Sequence, residues 1–250
     1  MSFTNKVVLI TGGSSGIGAK TAILFAKEGA NVAVVGRNVA KLAKVEEEIN
    51  KIGNKPLVIV ADVSKDDEAI TIVKKTVEAF GKLDILVNNA GIMRYCEIFD
   101  ASFLQVYDEI MNINIRPVVI ITSQAVPYIK ETKGNIINIS SVAAINVTEP
   151  GFISYRTSKA ALTHFTRALA VELGPYGVRA NIVSPGPVKT DIFESAGMGN
   201  LENELGKSTV LNRLSEPEEV ADIIAYLASN KAKSVTGSNY VIDNGYLTIN

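Results

Sequence analysis

Seven short apolar runs, separated by longer segments with helical periodicity, constrain the fold of this chain more than any other feature. Runs of this kind are typical of strands buried on both faces of a parallel sheet. They lie at residues 7–10, 32–35, 57–60, 85–87, 136–139, 180–183 and 240–242. The helical patterns lie between them, at about 17–29, 38–52, 66–80, 100–130, 155–174 and 217–229. The alternation predicts an α/β fold, a doubly wound, mostly parallel sheet of seven strands with helices on both faces.

The length of the chain indicates a single domain over residues 1–250. With 250 residues, 47% of them apolar, the chain can build one large α/β core. The least regular stretch is 187–215, and a long irregular segment in a compact domain is often a lid over a binding site. Its apolar residues Phe193, Met198 and Leu201 are expected to cover the substrate.

Composition argues against several classes of function. A formal net charge of −1, with scattered Lys and Arg, gives no electrostatic basis for binding nucleic acid or an anionic membrane. No cluster of metal-ligating residues occurs, so no metal is expected. The first six residues leave no room for a signal peptide, Cys96 is the only cysteine, and no stretch approaches the roughly 20 apolar residues of a membrane span. We therefore expect a cytosolic protein.

A glycine-rich turn joins the first apolar run to the first helical pattern. Gly12, Gly16 and Gly18 are spaced Gly-x-x-x-Gly-x-Gly, and a helix is expected to begin near Ile17. Glycines let the backbone approach a pyrophosphate closely, and the helix N-terminus offers free N–H groups and the positive end of its dipole. The same turn could also be a plain strand–helix connection, so it predicts a dinucleotide site only in combination with other motifs.

Three further motifs follow in order along the chain. They are Asn-Asn-Ala-Gly at 88–91, Tyr-x-x-x-Lys at 155–159 and Ser-Pro-Gly at 184–186. With the glycine turn, this ordered set resembles the short-chain dehydrogenase/reductase family, and the overall resemblance is to its 3-oxoacyl carrier-protein reductase-like branch. The resemblance spans about residues 6–245 and implies a Rossmann fold, a nicotinamide cofactor and an oxidoreductase.

The resemblance assigns cofactor contacts to many positions. They are Gly12, Ser14, Ser15, Gly16, Ile17, Gly18, Arg37, Asp62, Val63, Asn89, Ala90, Gly91, Tyr155, Lys159, Pro185, Gly186, Val188 and Thr190. Among these, Asp62 and Val63 would contact the adenine and Asn89 the ribose, whereas Asn88 is expected to tie neighbouring strands together.

Cofactor choice depends on the end of the second strand. Members of the family that prefer NAD carry an acidic residue there, whereas this chain has Gly36-Arg37-Asn38. Arg37 could pair with a 2′-phosphate, and no carboxylate at this position would repel one. The sequence therefore favours NADP(H) over NAD(H). The alternative is that Arg37 is only a solvated residue at the start of a helix. Ser15 weakens the case for NADP(H), because some NADP-dependent relatives have a second Arg at that position.

Tyr155 and Lys159 are the central catalytic candidates. Four residues apart in a helical segment, their side chains share one face of the helix. A protonated Lys beside the phenol is expected to lower the pKa of Tyr155 from about 10, so that Tyr155 can exchange a proton with a carbonyl or alcohol oxygen.

Ser141 and Asn114 complete the catalytic set that the resemblance implies. Ser141 would hydrogen-bond the substrate oxygen, and Asn114 would hold a water in the proton relay to Lys159. Ser140 remains an alternative to Ser141, because the step from Ser141 to Tyr155 is one residue longer than is usual in the family and Ser140 is adjacent. Asn112 competes with Asn114, and Asn114 fits better because Pro117 and the apolar run after it keep the family spacing.

The resulting hypothesis is an NADPH-dependent reductase of ketones or aldehydes, reversible, with Tyr155 as general acid and base. The alternatives are an NAD-dependent alcohol or hydroxysteroid dehydrogenase and a cofactor-binding regulator without turnover. The substrate is a small carbonyl or alcohol compound; docking of a carrier protein is in question because Val171 stands where bacterial members have a basic residue. The resemblance also implies a homo-tetramer, or a dimer, through the helices at 100–130 and 155–174.

Overall fold

The computed structural model describes residues 1–147, 149–196 and 202–249. Its centre is a seven-stranded sheet in the order β3-β2-β1-β4-β5-β6-β7, and every neighbouring pair is parallel. The strands are β1 Val7–Thr11, β2 Asn31–Gly36, β3 Leu57–Val60, β4 Ile85–Asn88, β5 Asn135–Ile139, β6 Arg179–Pro185 and β7 Asn239–Ile242. All seven predicted strands are confirmed, as is the doubly wound Rossmann architecture.

Helices connect the strands on both faces of the sheet. They are α1 Gly16–Lys27, α2 Val39–Asn50, α3 Asp66–Ala69, α4 Ile72–Phe80, α5 Phe103–Asn114, α6 Arg116–Thr132, α7 Ile153–Leu173, α8 Ile192–Ser195, α9 Glu202–Lys207, α10 Pro217–Ala228 and α11 Tyr246–Ile249. No helix in the described ranges is long and apolar enough to cross a membrane.

Two of the predicted helices are each divided in the structure. The pattern at 66–80 becomes α3 and α4, and the pattern at 100–130 becomes α5 and α6. In the second case Pro117 lies in the first turn of α6 and has no N–H to continue the ladder of α5. The apolar periodicity runs on across the break, which is why the sequence pattern indicated one helix.

The strands are buried because helices cover both faces. In β1 the side chains of Val8 and Ile10 pack into one core with Phe25 of α1. Val7 and Leu9 point to the opposite face and pack into a second core beneath α4, α6 and α7. Because β1 lies between β2 and β4, the strand order reverses there, and the carboxyl ends of the strands open onto a crevice suited to a ligand.

Candidate active site

The glycine turn has a shape that only glycine permits. Gly12 and Gly16 have φ values of +64° and +52°, in the left-handed region. A Cβ on Gly12 would lie 2.8 Å from the Cα of Ala90, and a Cβ on Gly18 would lie 2.3 Å from the carbonyl oxygen of Gly12. The glycines therefore bring the turn, the start of α1 and the segment after β4 into direct contact.

Side chains from β1 and the segment after β4 hold this turn in place. The Thr11 hydroxyl accepts N–H bonds from Asn89 and Ala90, both at 3.1 Å. The Asn89 amide donates in return to the carbonyl oxygens of Thr11 and Gly12, at 3.0 and 3.1 Å. Asn88 donates to Asn138 of β5 at 2.8 Å, which confirms its predicted role as a tie between strands.

The N-terminus of α1 is available to an anion. Its N-cap residue, Ser15, makes no side-chain capping bond, and α1 is 12 residues long. The first N–H groups of a helix have no partner within the helix, and the dipole adds positive potential there. Together with the close glycine turn, these groups fit the pyrophosphate of a dinucleotide.

A cavity of about 520 Å³ runs along this edge of the sheet. It is lined by every residue assigned to the cofactor except Gly18, and also by Ser140 and Ser141. Gly18 lies instead beneath the turn, against Gly12, where the absence of a side chain allows close packing, and its predicted contact with the cofactor stays a prediction. One continuous cavity therefore joins the turn, the end of β2 and the Tyr155 region.

Tyr155 and Lys159 lie on the floor of this cavity, one turn apart on α7. Their exposed fractions are 8% and 5%. The Lys159 ammonium donates to the carbonyl oxygen of Ile139 at 2.9 Å and lies 5.7 Å from the centre of the Tyr155 ring. The end of β5 thus holds the Lys159 chain in position beneath the ring.

Ser140 and Ser141 have different surroundings. The Ser140 hydroxyl donates to the carbonyl oxygen of Lys159 at 3.0 Å and shares a 2.8 Å bond with the Thr163 hydroxyl. The Ser141 hydroxyl instead caps the following 3₁₀ turn by accepting the N–H of Ala143 at 3.1 Å, and it also bonds Tyr155. Ser141, and not Ser140, is therefore the serine in contact with the Tyr155 phenol.

Burial sets the pKa values of both groups. It raises the pKa of Tyr155 above its usual value of 10.0, with the Ser141 hydrogen bond acting weakly in the opposite direction. It lowers the pKa of Lys159 to about 8. The expectation that Lys159 would lower the pKa of Tyr155 is therefore wrong for the protein without cofactor, because removal of the phenol from water raises this pKa.

Asn114 lies behind the floor rather than on the cavity wall. Its carbonyl oxygen accepts the N–H of Ile92 at 2.8 Å, and its amide donates to the Ile92 carbonyl at 2.9 Å and to the Ser158 hydroxyl at 3.0 Å. A Cβ on Gly91 would lie 3.3 Å from the Asn114 oxygen and 3.5 Å from the Lys159 nitrogen. Asn112 is exposed and donates to Ser64 instead, so Asn114 is the asparagine that faces Gly91 together with Lys159.

The other end of the cavity is a more exposed rim. Arg37, with 60% of its side chain exposed, lies 3.6 Å from a carboxylate oxygen of Asp62. The second oxygen of Asp62 accepts the N–H and hydroxyl of Ser64, at 3.1 and 2.8 Å. Burial alone would raise the pKa of Asp62, but the bonds from Ser64 and the charge of Arg37 hold it below its usual value. Val63 is buried beside them.

The segment after β6 closes over the glycine turn. Pro185 ends β6, and Gly186 donates to Ile242 of β7 at 2.9 Å. Val188 forms a bridge with Ser215, so the two ends of the predicted lid are joined. A Cβ on Gly16 would lie 2.9 Å from the Thr190 methyl. Of the three residues expected to cover the substrate, Phe193 lines the cavity, and Met198 and Leu201 fall outside the described residues.

The structure brings further residues to the cavity that the motifs did not indicate. Lys41 of α2 forms an ion pair with Asp191, which precedes α8. Arg156, directly after Tyr155, donates to the carbonyl oxygen of Glu149 and lies over the Phe152 ring. Neither contact has a local sequence signal, because charged residues on helix surfaces are common and Lys41 and Asp191 are 150 residues apart.

Comparison with known proteins agrees with this geometry. A family model described as Enoyl-(Acyl carrier protein) reductase matches residues 12–247. An uncharacterized oxidoreductase of Thermotoga maritima is 41% identical over 251 residues, 98% of either chain. The 3-oxoacyl-[acyl-carrier-protein] reductase FabG of the same organism is 37% identical over 250 residues, 98% of this chain and 99% of that protein. A short chain dehydrogenase of Burkholderia cenocepacia J2315 in complex with NADP is 33% identical, with a TM-score of 0.92 over 99% of this chain and 100% of its own.

The chain belongs to the short-chain dehydrogenase/reductase family, as its motifs predicted. It is an oxidoreductase that acts with a nicotinamide cofactor, NAD(H) or NADP(H). Its similarity to the Thermotoga FabG also confirms the predicted resemblance to the 3-oxoacyl carrier-protein reductase-like branch.

Proposed function

We propose that this protein reduces a ketone or aldehyde to an alcohol with NADPH, reversibly, and that Tyr155 is its general acid and base. The observation that carries the proposal is one cavity with Ser141, Tyr155 and Lys159 at its floor and Arg37 at its rim. Two relatives support it, one named as a 3-oxoacyl reductase and one solved with NADP.

The residues that would hold the cofactor are those of the glycine turn, the rim and the segment after β6. The turn and the N-terminus of α1 suit a pyrophosphate, Arg37 suits a 2′-phosphate, and Pro185 to Thr190 suit the nicotinamide end. When bound, the nicotinamide cofactor supplies or accepts a hydride.

The chain's own residues handle the proton and the developing charge. Tyr155 donates its phenolic proton to the carbonyl oxygen of the substrate, and Ser141 donates a hydrogen bond to the same oxygen. Lys159 stabilises the phenolate that Tyr155 leaves, because an ammonium close to the ring favours its charged form. Asn114, which faces Gly91 together with Lys159, is suited to position a water that returns the proton to this pair.

The walls beside Tyr155 indicate a substrate with apolar parts. Met93, Phe152 and Phe193 line the cavity there, together with Arg94 and Arg156. Val171 is 80% exposed on α7, so this helix does not present a basic side chain at that position to an acidic carrier protein. We therefore favour a free carbonyl compound over one attached to a carrier.

Calorimetric titration with NADPH and NADH is the first test. We expect tighter binding of NADPH, and Arg37→Ala is expected to weaken NADPH binding about tenfold while NADH binding changes by less than about twofold. Arg167→Ala, which removes an exposed guanidinium outside the cavity, is the matched control and should change neither. Tighter binding of NADH by the unmodified protein would contradict the proposed cofactor preference and favour the NAD-dependent dehydrogenase.

Assembly and location remain predictions. We propose a homo-tetramer, or a dimer, through α5, α6 and α7, and three exposed apolar side chains on these helices support it: Leu104, Val119 and Val171. Light scattering after size exclusion should give a mass of two or four chains, and a monomer at micromolar concentration would contradict the proposal. We also propose a cytosolic location, which fractionation of the producing cells would test.

A further inference from the structure

The rim of the cavity contains two cations, and each is paired with a carboxylate. Arg37 lies 3.6 Å from Asp62, and Lys41, in the first turn of α2, is paired with Asp191. All four side chains line the same cavity. The four groups therefore have no net charge, so a phosphate that binds at the two cations competes with the carboxylates for them.

The two carboxylates differ in how firmly they are held. One oxygen of Asp62 accepts two bonds from Ser64 at the start of the β3–α3 connection, and 25% of its side chain is exposed. Asp191 is 51% exposed, and its partners are the Lys41 ammonium and, more weakly, the Ser15 hydroxyl. The Ser64 bonds therefore hold Asp62 at the rim whether or not Arg37 is paired with it, whereas Asp191 is held mainly by Lys41 itself and can move away once the ammonium turns to another anion.

Lys41 itself is well placed at the rim. Its backbone N–H donates at 3.0 Å to the side-chain oxygen of Asn38, which caps α2 directly after Arg37. This cap fixes the first turn of α2 relative to the end of β2, whereas the ammonium is at the end of a flexible chain with 46% of the side chain exposed. The ammonium can change partners without any movement of the helix.

We propose that Lys41 exchanges Asp191 for the 2′-phosphate of the cofactor. Lys41 then discriminates between NADP(H) and NAD(H), and the Asp191 carboxylate weakens NADP(H) binding because it competes with the 2′-phosphate for Lys41. The proposal rests on the proposed NADP(H) preference and adds a second cation to Arg37. It also links the 2′-phosphate to the start of α8, since Asp191 directly precedes that helix.

The test compares two nucleotides that differ only in the 2′-phosphate, adenosine 2′,5′-bisphosphate and adenosine 5′-monophosphate, by calorimetry. Lys41→Gln is expected to weaken binding of the bisphosphate at least about threefold and to leave the monophosphate within about twofold. Lys44→Gln is the matched control, because Lys44 is an exposed lysine of the same helix that does not line the cavity. It should leave both affinities unchanged.

Asp191→Asn tests the exchange itself. Without the competing carboxylate, bisphosphate binding should tighten about twofold to fivefold, the range expected for breaking an exposed ion pair. In the Lys41→Gln background the same change should have no effect, because the gain depends on the lysine that Asp191 holds. A gain of equal size in both backgrounds would mean only general charge repulsion and would overturn the exchange.

A Lys41–Asp191 ion pair that stays intact when the nucleotide binds makes the opposite prediction. If Lys41 and Asp191 stay paired over the bound nucleotide, both single variants weaken both nucleotides equally, and the exchange is wrong. Failure of the proposed function looks different, since the unmodified protein would then bind the bisphosphate no better than the monophosphate. If the unmodified protein prefers the bisphosphate and Lys41→Gln binds both nucleotides normally, only the exchange is overturned.

Discussion

The floor and the rim of the cavity use charge in different ways. On the floor, Tyr155 and Lys159 are almost fully buried. Loss of water raises the pKa of Tyr155 and lowers that of Lys159, so both neutral forms are favoured. At the rim, Arg37 and Lys41 are largely exposed and paired with carboxylates. A substitution of one buried group on the floor should therefore have a large effect on turnover or stability. A substitution at the rim should have a small effect, because exposed ion pairs differ little in free energy from the contacts that replace them.

The largest expected effect is that of Tyr155→Phe on turnover. Removing the phenolic hydroxyl should lower kcat about 10²-fold to 10⁴-fold, the usual contribution of general acid–base catalysis, with NADPH affinity nearly unchanged. Steady-state rates on a carbonyl library and nucleotide calorimetry measure the two quantities. Tyr176→Phe is the control, since Tyr176 lies outside the cavity lining. Full turnover by Tyr155→Phe would show that Tyr155 is not the general acid and base.

The next effect concerns stability and pH. The pKa of Lys159 is lowered from 10.5 to about 8 in the folded protein, so between these values the unfolded chain binds a proton that the folded protein has lost. The free energy of unfolding should therefore rise with pH from about 8 to 10, by up to about 3 kcal/mol. The raised pKa of Tyr155 acts in the opposite sense only above pH 10.

Urea denaturation at several pH values, at fixed protein concentration, measures this slope. In Lys159→Met the rise should disappear, because no titrating group remains at that position. An equal rise in the variant and the unmodified protein would show that burial of Lys159 is not its cause.

Gly18→Ala should have an intermediate effect that joins the two regions. The added Cβ would meet the Gly12 carbonyl at 2.3 Å and the Asn89 amide at 2.5 Å, so the turn must open. We expect a loss of about 1–3 kcal/mol in stability, as for overpacking elsewhere, together with weaker binding of either cofactor. Thermal unfolding and calorimetry give both values. Gly174→Ala, where the Cβ meets nothing within 4 Å, should be nearly neutral.

The smallest effect is expected at the rim. Lys41→Gln should change the free energy of unfolding by less than about 1 kcal/mol, because its ion pair with Asp191 is half exposed and screened by solvent. Chemical denaturation of this variant also checks that its altered nucleotide binding is not caused by misfolding. A loss of several kcal/mol would mean that the rim contributes to folding as strongly as the floor, and the contrast between them would fail.

Local patterns in the chain were enough to predict the sheet, its seven strands and the residues of the turn. A buried strand can be predicted because its consecutive side chains are apolar. The site could be predicted because the motif residues follow strand ends, and these ends meet at one edge of the sheet. The same patterns failed at Pro117, where one periodic segment is two helices. They also failed to separate Ser140 from Ser141, because neighbouring serines differ only in where the backbone points their hydroxyl groups.

By itself, therefore, the sequence determined the architecture, the family and which residue types meet at the crevice. Only the tertiary structure decided that Gly18 packs beneath the turn, that Lys41 is paired with Asp191, and that burial sets the pKa values of Tyr155 and Lys159. The physical reason is distance along the chain. Propensity and periodicity act over a few residues, whereas desolvation and ion pairing depend on which distant segments exclude water from a group.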